Sequence, residues 1–143
     1  MRGALTPTAT ALLGIRAEST SELDRLIQRG LPKASLERLY RHLELASHSI
    51  GWSEFRQMVV PLATWKRRER RLSAIESATT ERLARVTAMA IQTWDGNQED
   101  AREWLWTPHP ELDQQPPVLV AMTELGARRV EQVLASIAYG LPV

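Results

Sequence analysis

The residue types with the clearest chemical potential form a cationic run near the middle of the chain. Residues 66–71 read K-R-R-E-R-R, with five cations and one anion in six positions. Positive charges this close repel one another in water, and DNA phosphates relieve that repulsion while releasing their own counterions. Because arginine pairs with guanine edges through two hydrogen bonds, we expect Arg67 or Arg68 to specify sequence while the other cations hold phosphates. The run therefore predicts a nucleic-acid contact, and a solvated helix face is the alternative.

Two short helices are predicted to position these cations. Apolar residues at helical spacing from Trp52 to Val59 mark the first helix, which we expect to end at Val60 because Pro61 disfavours helical geometry in the residue before it. Pro61 can then open a second helix over about 61–71, which we expect to bury Leu62 and Trp65. A cationic helix that follows a short helix and a tight turn is typical of a helix-turn-helix DNA reader. The predicted DNA-binding residues are Thr64, Lys66, Arg67, Arg68, Arg70 and Arg71.

The other residue types that catalyse reactions or bind metals are scattered. His42, His48 and His109 are not spaced three or four residues from one another, so no two of them share a helix face as metal ligands. The carboxylates of residues 99–103 fall in the first turns of a capped helix, where the helix dipole favours them without any catalytic role. No glycine-rich phosphate loop and no nucleophile elbow occurs. We therefore expect no catalytic residue, no metal and no cofactor, and the chain is not predicted to be an enzyme.

The remaining apolar residues repeat at helical spacing, and no stretch alternates with period two. Capping boxes at Ser19 and Ser73, each with a glutamate three residues later, begin two of the helices. The predicted helices cover about 20–29, 35–46 and 73–94, the segment between Asn97 and Pro108, one turn over 118–122 and the segment between Thr123 and Gly140. The fold class is therefore predicted to be all-α, with a helix-turn-helix in the N-terminal half.

Charge is divided unevenly along the chain. Residues 1–85 carry 15 basic and 9 acidic side chains, a net charge of +6, whereas residues 86–143 carry 3 and 8, a net charge of −5. A basic half suits a polyanion, and an acidic half with apolar stripes suits a protein surface. The absence of cysteine excludes disulfides and thiolate metal sites and favours a reducing, cytoplasmic setting. No window approaches about 18 uninterrupted apolar residues, so we expect no membrane span.

Apolar stripes in the C-terminal half have two interpretations. Residues 104–119 surround a proline-containing loop, and residues 130–139 form an apolar helix face. In a chain this small, several striped helices can exceed what one core covers, and the excess is then available to a partner or to a second copy. Core and interface both stay open for any one of these residues.

Several spacings in this half form a recognisable signature. Residues 96–105 hold a G-x4-A-x2-W-L block, a leucine and a proline stand five apart at 112 and 117, and residues 123–130 hold T-x2-G-x3-V before an aliphatic helix that ends in Y-G. Earlier in the chain, residues 30–32 read G-L-P and residues 64–68 read T-x2-R-R. On these motifs the chain, from about Gly30 to its end, resembles the Xre/MbcA/ParS antitoxins, whose toxins carry the RES domain. The family usually has Gly-Gly after the leucine and a glycine at the helix-turn-helix turn, where this chain has Asp113-Gln114 and Val60-Pro61.

The resemblance implies a function and partners. RES-domain toxins consume NAD, and antitoxins of this family pack a C-terminal domain over the entrance of the toxin's active site. The N-terminal domain, as a homodimer within a larger complex with toxin, binds the operator of its own operon and represses it. The antitoxin itself catalyses nothing. The toxin-binding residues that the resemblance implies are Trp104, Leu105, Pro117, Thr123, Gly126, Val130, Leu134, Tyr139, Gly140 and Leu141.

The domain organisation that follows has three parts. Residues 1–18 are predicted to be a flexible arm, 19–72 a helix-turn-helix DNA-binding domain, and 73–143 a helical domain for toxin binding and dimerisation. Two other functions remain open. One is a stand-alone helix-turn-helix regulator whose C-terminal half only dimerises, and the other is an interaction protein whose helix-turn-helix no longer touches DNA.

Overall fold

The computed structural model describes residues 6–46 and 49–140, and within these ranges the chain is all-α. The extended backbone there forms only two isolated bridges, Pro32 with Arg71 and His109 with Gln115. The predicted fold class is therefore confirmed. The helices are α1 Ala9–Leu13, α2 Thr20–Arg29, α3 Lys33–Leu43, α4 Trp52–Val59, α5 Leu62–Arg67, α6 Ala74–Thr93, α7 Gln98–Trp106, a 3₁₀ turn Pro110–Leu112, α8 Pro117–Val120 and α9 Glu124–Ala138.

Side-chain caps begin the helices where the sequence places them. Ser73 accepts a hydrogen bond from the Glu76 backbone at 3.1 Å, and the Glu76 carboxylate accepts one from the Ser73 backbone at 2.7 Å. Ser19, Asn97 and Thr123 cap α2, α7 and α9 in the same way through one bond each. These side chains satisfy amide groups that the first turn of a helix leaves without partners. The starts of these four helices could therefore be read from local sequence.

The long helix α6 is the centre of the core. It packs against α1, α2, α3, α4, α7, α8 and α9, and its inward residues are fully buried. The buried apolar side chains of both halves form one cluster. A buried hydrogen bond from Trp106 Nε1 to the Leu43 carbonyl, 2.6 Å long, also connects the two halves. The predicted boundary between residues 72 and 73 therefore lies where the chain enters a helix that both halves share.

Part of the predicted N-terminal arm is packed. Residues Ala9–Leu13 form α1, which Thr8 caps at its start and Gly14 ends with a left-handed φ of +69°. Leu12 and Leu13 are fully buried against α3 and α6. The expectation of a loose arm is wrong for this segment, because two apolar side chains in one helical turn provide enough burial to hold it.

The predicted cationic helix over 61–71 is shorter than expected. It ends at Arg67, and residues 70–72 run extended beside residues 31–33. The Lys33 amide donates to the Arg70 carbonyl and the Leu72 amide donates to the Leu31 carbonyl, both at 2.8 Å. Helical backbone could not make these two bonds, so the pairing ends α5. The predicted burial of Leu62 is also wrong, since 46% of its surface is exposed.

Candidate functional site

Two side chains hold the turn between α4 and α5. Arg56 is buried, and its Nη1 donates to the Val60 carbonyl at 2.6 Å and to Gln57 Oε1 at 3.1 Å. Gln57 Oε1 also accepts from the Leu62 amide at 3.2 Å, which caps the start of α5. This arrangement fixes Val60-Pro61 as a tight turn where the family more often has glycine. The two helices are therefore joined by a short turn that Arg56 and Gln57 hold.

Lys33 holds the other end of α5. Its Nζ donates to the carbonyls of Trp65 at 2.8 Å and Arg68 at 3.0 Å, and lies 4.3 Å from the centre of the Trp65 ring. The last carbonyls of a helix lack internal partners and carry partial negative charge, so a cation there is stabilising. The Trp65 ring in turn packs edge-on against Trp52, with ring centres 5.6 Å apart. Lys33, which the sequence did not place in the DNA site, thus positions α5, the helix that carries part of that site.

The cations of the predicted DNA site are spread over α5 and the segment that follows it. Lys66 and Arg67 are exposed on the last turn of α5, and Arg70 and Arg71 are exposed beyond it. Arg71 donates to the Gly30 carbonyl at 3.1 Å, which ties it to the paired segment. Arg68 follows the helix, and its Nε lies 3.5 Å from Glu76 Oε1. The predicted DNA-binding cations therefore do not share one helix face. Arg68 already has an anionic neighbour in Glu76.

Five of the ten residues that the resemblance implies as toxin contacts are buried in the core of the C-terminal half. The buried members are Leu105, Pro117, Gly126, Val130 and Leu134. Residues with almost no solvent-accessible surface cannot contribute much contact to a partner while the fold is intact. For these five positions, burial favours the core interpretation that the sequence left open.

Gly126 shows why a signature residue can be structural. A Cβ atom at this position would overlap the Val120 carbonyl oxygen at the end of α8. The Gly126 amide also donates to Thr123 Oγ1 at 3.0 Å, which is the cap of α9. Glycine is therefore needed because α9 begins in direct contact with the backbone of α8.

The described members of the set that are not buried lie at both ends of α9 and on α7, with Thr123 exposed at the cap of α9 and Trp104 half-buried on α7. Tyr139 is 81% exposed and Gly140 is exposed beside it, whereas Leu141 lies outside the described residues. A cleft of about 550 Å³ opens between the C-terminal ends of α6 and α9. Its lining residues are Met89, Gln92, Thr93, Asp95, Ala135, Ala138 and Tyr139. The sequence predicted only Tyr139 of this group, because α6 and α9 are distant in sequence.

Trp104 belongs to a small aromatic cluster. Its ring lies 5.4 Å from that of Trp94 and 5.9 Å from that of His109, all three being partly exposed. The His109 Nδ1 accepts a hydrogen bond from the Glu111 amide at 3.0 Å, so that nitrogen carries no proton in this arrangement. Tertiary contact between α6, α7 and the loop creates the cluster. Sequence spacing could not have indicated it.

The loop after α7 takes a conformation that favours glycine. Asp113 and Gln114 have φ values of +57° and +60°, in the left-handed region. These are the positions where the family usually has Gly-Gly. Arg129 donates to Asp113 Oδ2 at 3.0 Å and to the Glu111 carbonyl at 3.2 Å, which ties the loop to α9. The loop therefore keeps a glycine-type backbone although both glycines are replaced.

Glu81 is a half-buried carboxyl on the side of α6 that faces α2. Burial raises the pKa of Glu81 above 4.5, while the neighbouring charges of Arg85 and Arg82 act to lower it. A groove beside it is lined by Leu23, Ile27 and Arg85. Nearby, Arg82 donates to the Met122 carbonyl at 3.0 Å and lies 3.5 Å from Glu124, which connects α6 to α9.

Over residues 6–46 and 49–140, no group of three histidine, cysteine or acidic residues is arranged to hold a metal ion. His48, one of the three histidines examined as possible metal ligands in the sequence, lies outside these ranges. Within the same ranges, no helix is both long and apolar enough to cross a bilayer.

Comparison with known proteins identifies the C-terminal half. Residues 89–140 match the model of the antitoxin Xre/MbcA/ParS C-terminal toxin-binding domain. The matched segment begins inside α6, includes the Trp104 cluster and the Asp113 loop, and ends at Gly140. A comparison with curated proteins finds no match. An antitoxin domain of this kind implies a non-enzymatic role and a toxin as partner. The chain therefore carries, at residues 89–140, a domain that matches the toxin-binding domain of Xre/MbcA/ParS antitoxins.

Proposed function

We propose that this protein is the antitoxin of a type II toxin–antitoxin system whose toxin is an NAD-consuming RES-domain protein. The C-terminal domain covers the active site of the toxin, and the helix-turn-helix represses the operon by binding its operator. The observation that carries the toxin part is the match of residues 89–140 to a toxin-binding domain. The RES identity rests on the motif resemblance, and the negative charge of residues 86–143 suits a site whose substrate is anionic.

The toxin-facing surface that we propose is the end of α9 with the adjoining cleft. Tyr139 is the more exposed of the two large hydrophobic side chains that α9 and its cap present to solvent, and the cleft beside it, about 550 Å³ in volume, is large enough to accept side chains of a partner. Exposed aromatic residues with an apolar body and a polar tip often dominate binding energy at interfaces. Val130 and Leu134 would then act by keeping α9 in the core, and Leu105 by keeping α7 there, without direct contact with the toxin.

To test the proposed toxin binding, this protein is co-expressed with the product of the neighbouring open reading frame. We expect Tyr139→Ala to weaken toxin binding about 10-fold or more, as loss of a hot-spot aromatic does. Leu125→Ala is the matched control, because Leu125 is 66% exposed at the other end of the same helix. Binding is measured by calorimetry on purified proteins and by growth rescue. A neighbouring product without toxicity, together with no partner co-purifying, would contradict the proposal and leave the stand-alone regulator.

The DNA-facing surface that we propose consists of the exposed cations around α5. Lys66, Arg67, Arg70 and Arg71 are accessible, and Thr64 lies on the same short helix. Arg68 stays a proposed contact, although Glu76 neutralises part of its charge. A homodimer would present two such surfaces to two half-sites of the operator. These cations would contribute chiefly through phosphate neutralisation.

Salt dependence tests this surface directly. Each phosphate contact contributes about −0.9 to the slope of log affinity against log salt concentration. We expect Arg67→Ala to flatten the slope for the operon's promoter by about one contact per subunit. Arg128→Ala removes an equally exposed arginine from α9 and serves as the control. An unchanged slope in the Arg67 variant would move recognition elsewhere.

A further inference from the structure

Apolar surface interrupts the cations at the start of α5. Within the described residues five large hydrophobic side chains are well exposed, and two of them, Met58 at 47% and Leu62 at 46%, are four residues apart across the helix-turn-helix turn. Pro61 and Ala63 between and beside them are exposed as well. Scattered exposed apolar residues need no explanation, but two at one turn of a proposed binding element do.

Neither the core nor a local polar network uses this surface. The space beneath α4 and α5 is filled by Phe55 and Val60, which are fully buried, and by the Trp52–Trp65 ring pair. Gln57 is the nearby side chain that could read an adenine edge, a contact that requires both its oxygen and its nitrogen. Its Oε1 is already occupied by Arg56 and the Leu62 amide. The exposed side chains of the first turn of α5, Leu62 and Ala63, therefore present only carbon atoms, and the hydroxyl of half-buried Thr64 beside them lies 3.5 Å from Arg67 Nη2.

The charges next to this surface indicate its occupant. Lys66 follows Leu62 by four residues and Arg67 follows Ala63 by four, so each cation neighbours an apolar side chain along the helix. A partner for such a surface combines dense negative charge with small apolar groups. The major groove of DNA does so wherever thymine presents its 5-methyl group between the phosphate rows. An apolar protein surface would leave the cations without partners.

We propose that α5 recognises operator DNA through thymine 5-methyl groups, which contact Leu62 and Ala63. Lys66 and Arg67 then hold the phosphates beside those bases. This inference rests on the proposed DNA-binding function, and it replaces guanine reading by Arg67 or Arg68 as the source of specificity. Residues in the first turn of a recognition helix are the ones that commonly reach base edges, which agrees with the position of Leu62 as the first residue of α5.

The test removes only the methyl groups. The promoter fragment is prepared with thymine and with deoxyuridine in its place, which keeps every base pair and charge but lacks the 5-methyl carbon. Affinity is measured by fluorescence anisotropy for the wild type, Leu62→Ala and Leu125→Ala. We expect deoxyuridine DNA to bind the wild type roughly fourfold more weakly for each methyl group buried. Leu62→Ala should lose most of that discrimination, whereas Leu125→Ala should retain all of it.

The outcomes separate this inference from the function on which it rests. Equal binding of both fragments by the wild type, with Arg67→Ala still weakening both, would overturn thymine recognition and leave the DNA function standing. Undiminished discrimination in Leu62→Ala would place the methyl contact elsewhere and also overturn it. Absence of any saturable promoter binding would overturn the DNA function itself. Loss of toxin binding in Leu62→Ala without any effect on DNA would assign the apolar surface to protein and reject the proposal.

Discussion

Motif residues have different roles in the two halves of this molecule. In the C-terminal half, Leu105, Gly126 and Leu134 are buried, so that signature specifies a fold. Around α5, Arg67 of the T-x2-R-R motif is exposed and Thr64 and Arg68 are half-buried, so that motif lies at a surface. A family signature therefore does not by itself mark a binding site. Burial decides which of its residues can touch a partner.

The strongest test of this contrast is Gly126→Ala. A Cβ atom would overlap the Val120 carbonyl, and neither the start of α9 nor the end of α8 can shift without losing contacts. We expect the free energy of unfolding to fall by about 3 kcal/mol, at the upper end of costs for overpacking. Chemical denaturation followed by circular dichroism measures it.

Gly51→Ala is the matched control for this substitution. No atom lies within 4 Å of a Cβ built on Gly51, and its φ is negative. Its cost should stay below about 1 kcal/mol, which reflects only the weaker helix cap that alanine provides. Equal effects of the two alanines would show that close approach of α8 and α9 is not what Gly126 supplies.

Lys33 and Lys66 test the contrast within the N-terminal half. Lys33→Met removes the cation that binds two carbonyls at the end of α5 and packs on Trp65. We expect it to lower the free energy of unfolding by about 1 kcal/mol. Lys66→Met removes an equal charge from an exposed position and should change stability by less than about 0.5 kcal/mol.

The same pair separates positioning from contact. Lys66→Met should reduce the salt slope of promoter binding by about one contact. Lys33→Met should weaken binding by loosening α5, with a smaller change in slope. Identical stability for the two variants would mean that Lys33 has no structural role and belongs to the DNA surface.

Features set by neighbouring residues were predictable, and features set by distant contacts were not. The caps of α2, α6, α7 and α9 and the all-α class follow from spacing over a few residues. The early end of α5 depends on residues 70–72 pairing with residues 31–33, about 40 positions away. The residues of the candidate site also fall into a group that the sequence predicted and a group that it did not. Lys66 and Tyr139 were identified from sequence, whereas Lys33 and the α6 wall of the cleft needed the fold.

The Asp113 loop offers a smaller test. Gln114 is exposed with a φ of +60°, so glycine there relieves backbone strain at little cost in contacts. We expect Gln114→Gly to raise the free energy of unfolding by about 0.5 kcal/mol. Gln115→Gly, at a position without a left-handed φ whose carbonyl accepts from the His109 amide, should lower it by a similar amount. Stabilisation by both would mean that loop flexibility, not local geometry, is the cause.

The smallest expected effect is electrostatic and lies at Glu81, where the two halves meet along α6. Because burial raises the pKa of Glu81, the folded state binds its proton more tightly than the unfolded state. The stability that this proton contributes is fully present below about pH 4.5 and is lost as pH rises through the folded-state pKa. Glu81→Gln removes the charge, so the variant should be more stable than the wild type at pH 7.

Denaturation at a series of pH values measures the difference between the two proteins. The advantage of Glu81→Gln should shrink as pH falls through the folded-state pKa and be lost below about 4.5, where the wild-type carboxyl is protonated in both states. Glu37→Gln, at an exposed position on α3, should leave stability at pH 7 within about 0.5 kcal/mol. If Glu81→Gln is instead less stable at pH 7, attraction from Arg82 and Arg85 outweighs desolvation. The carboxylate would then help to hold α6 in the shared core.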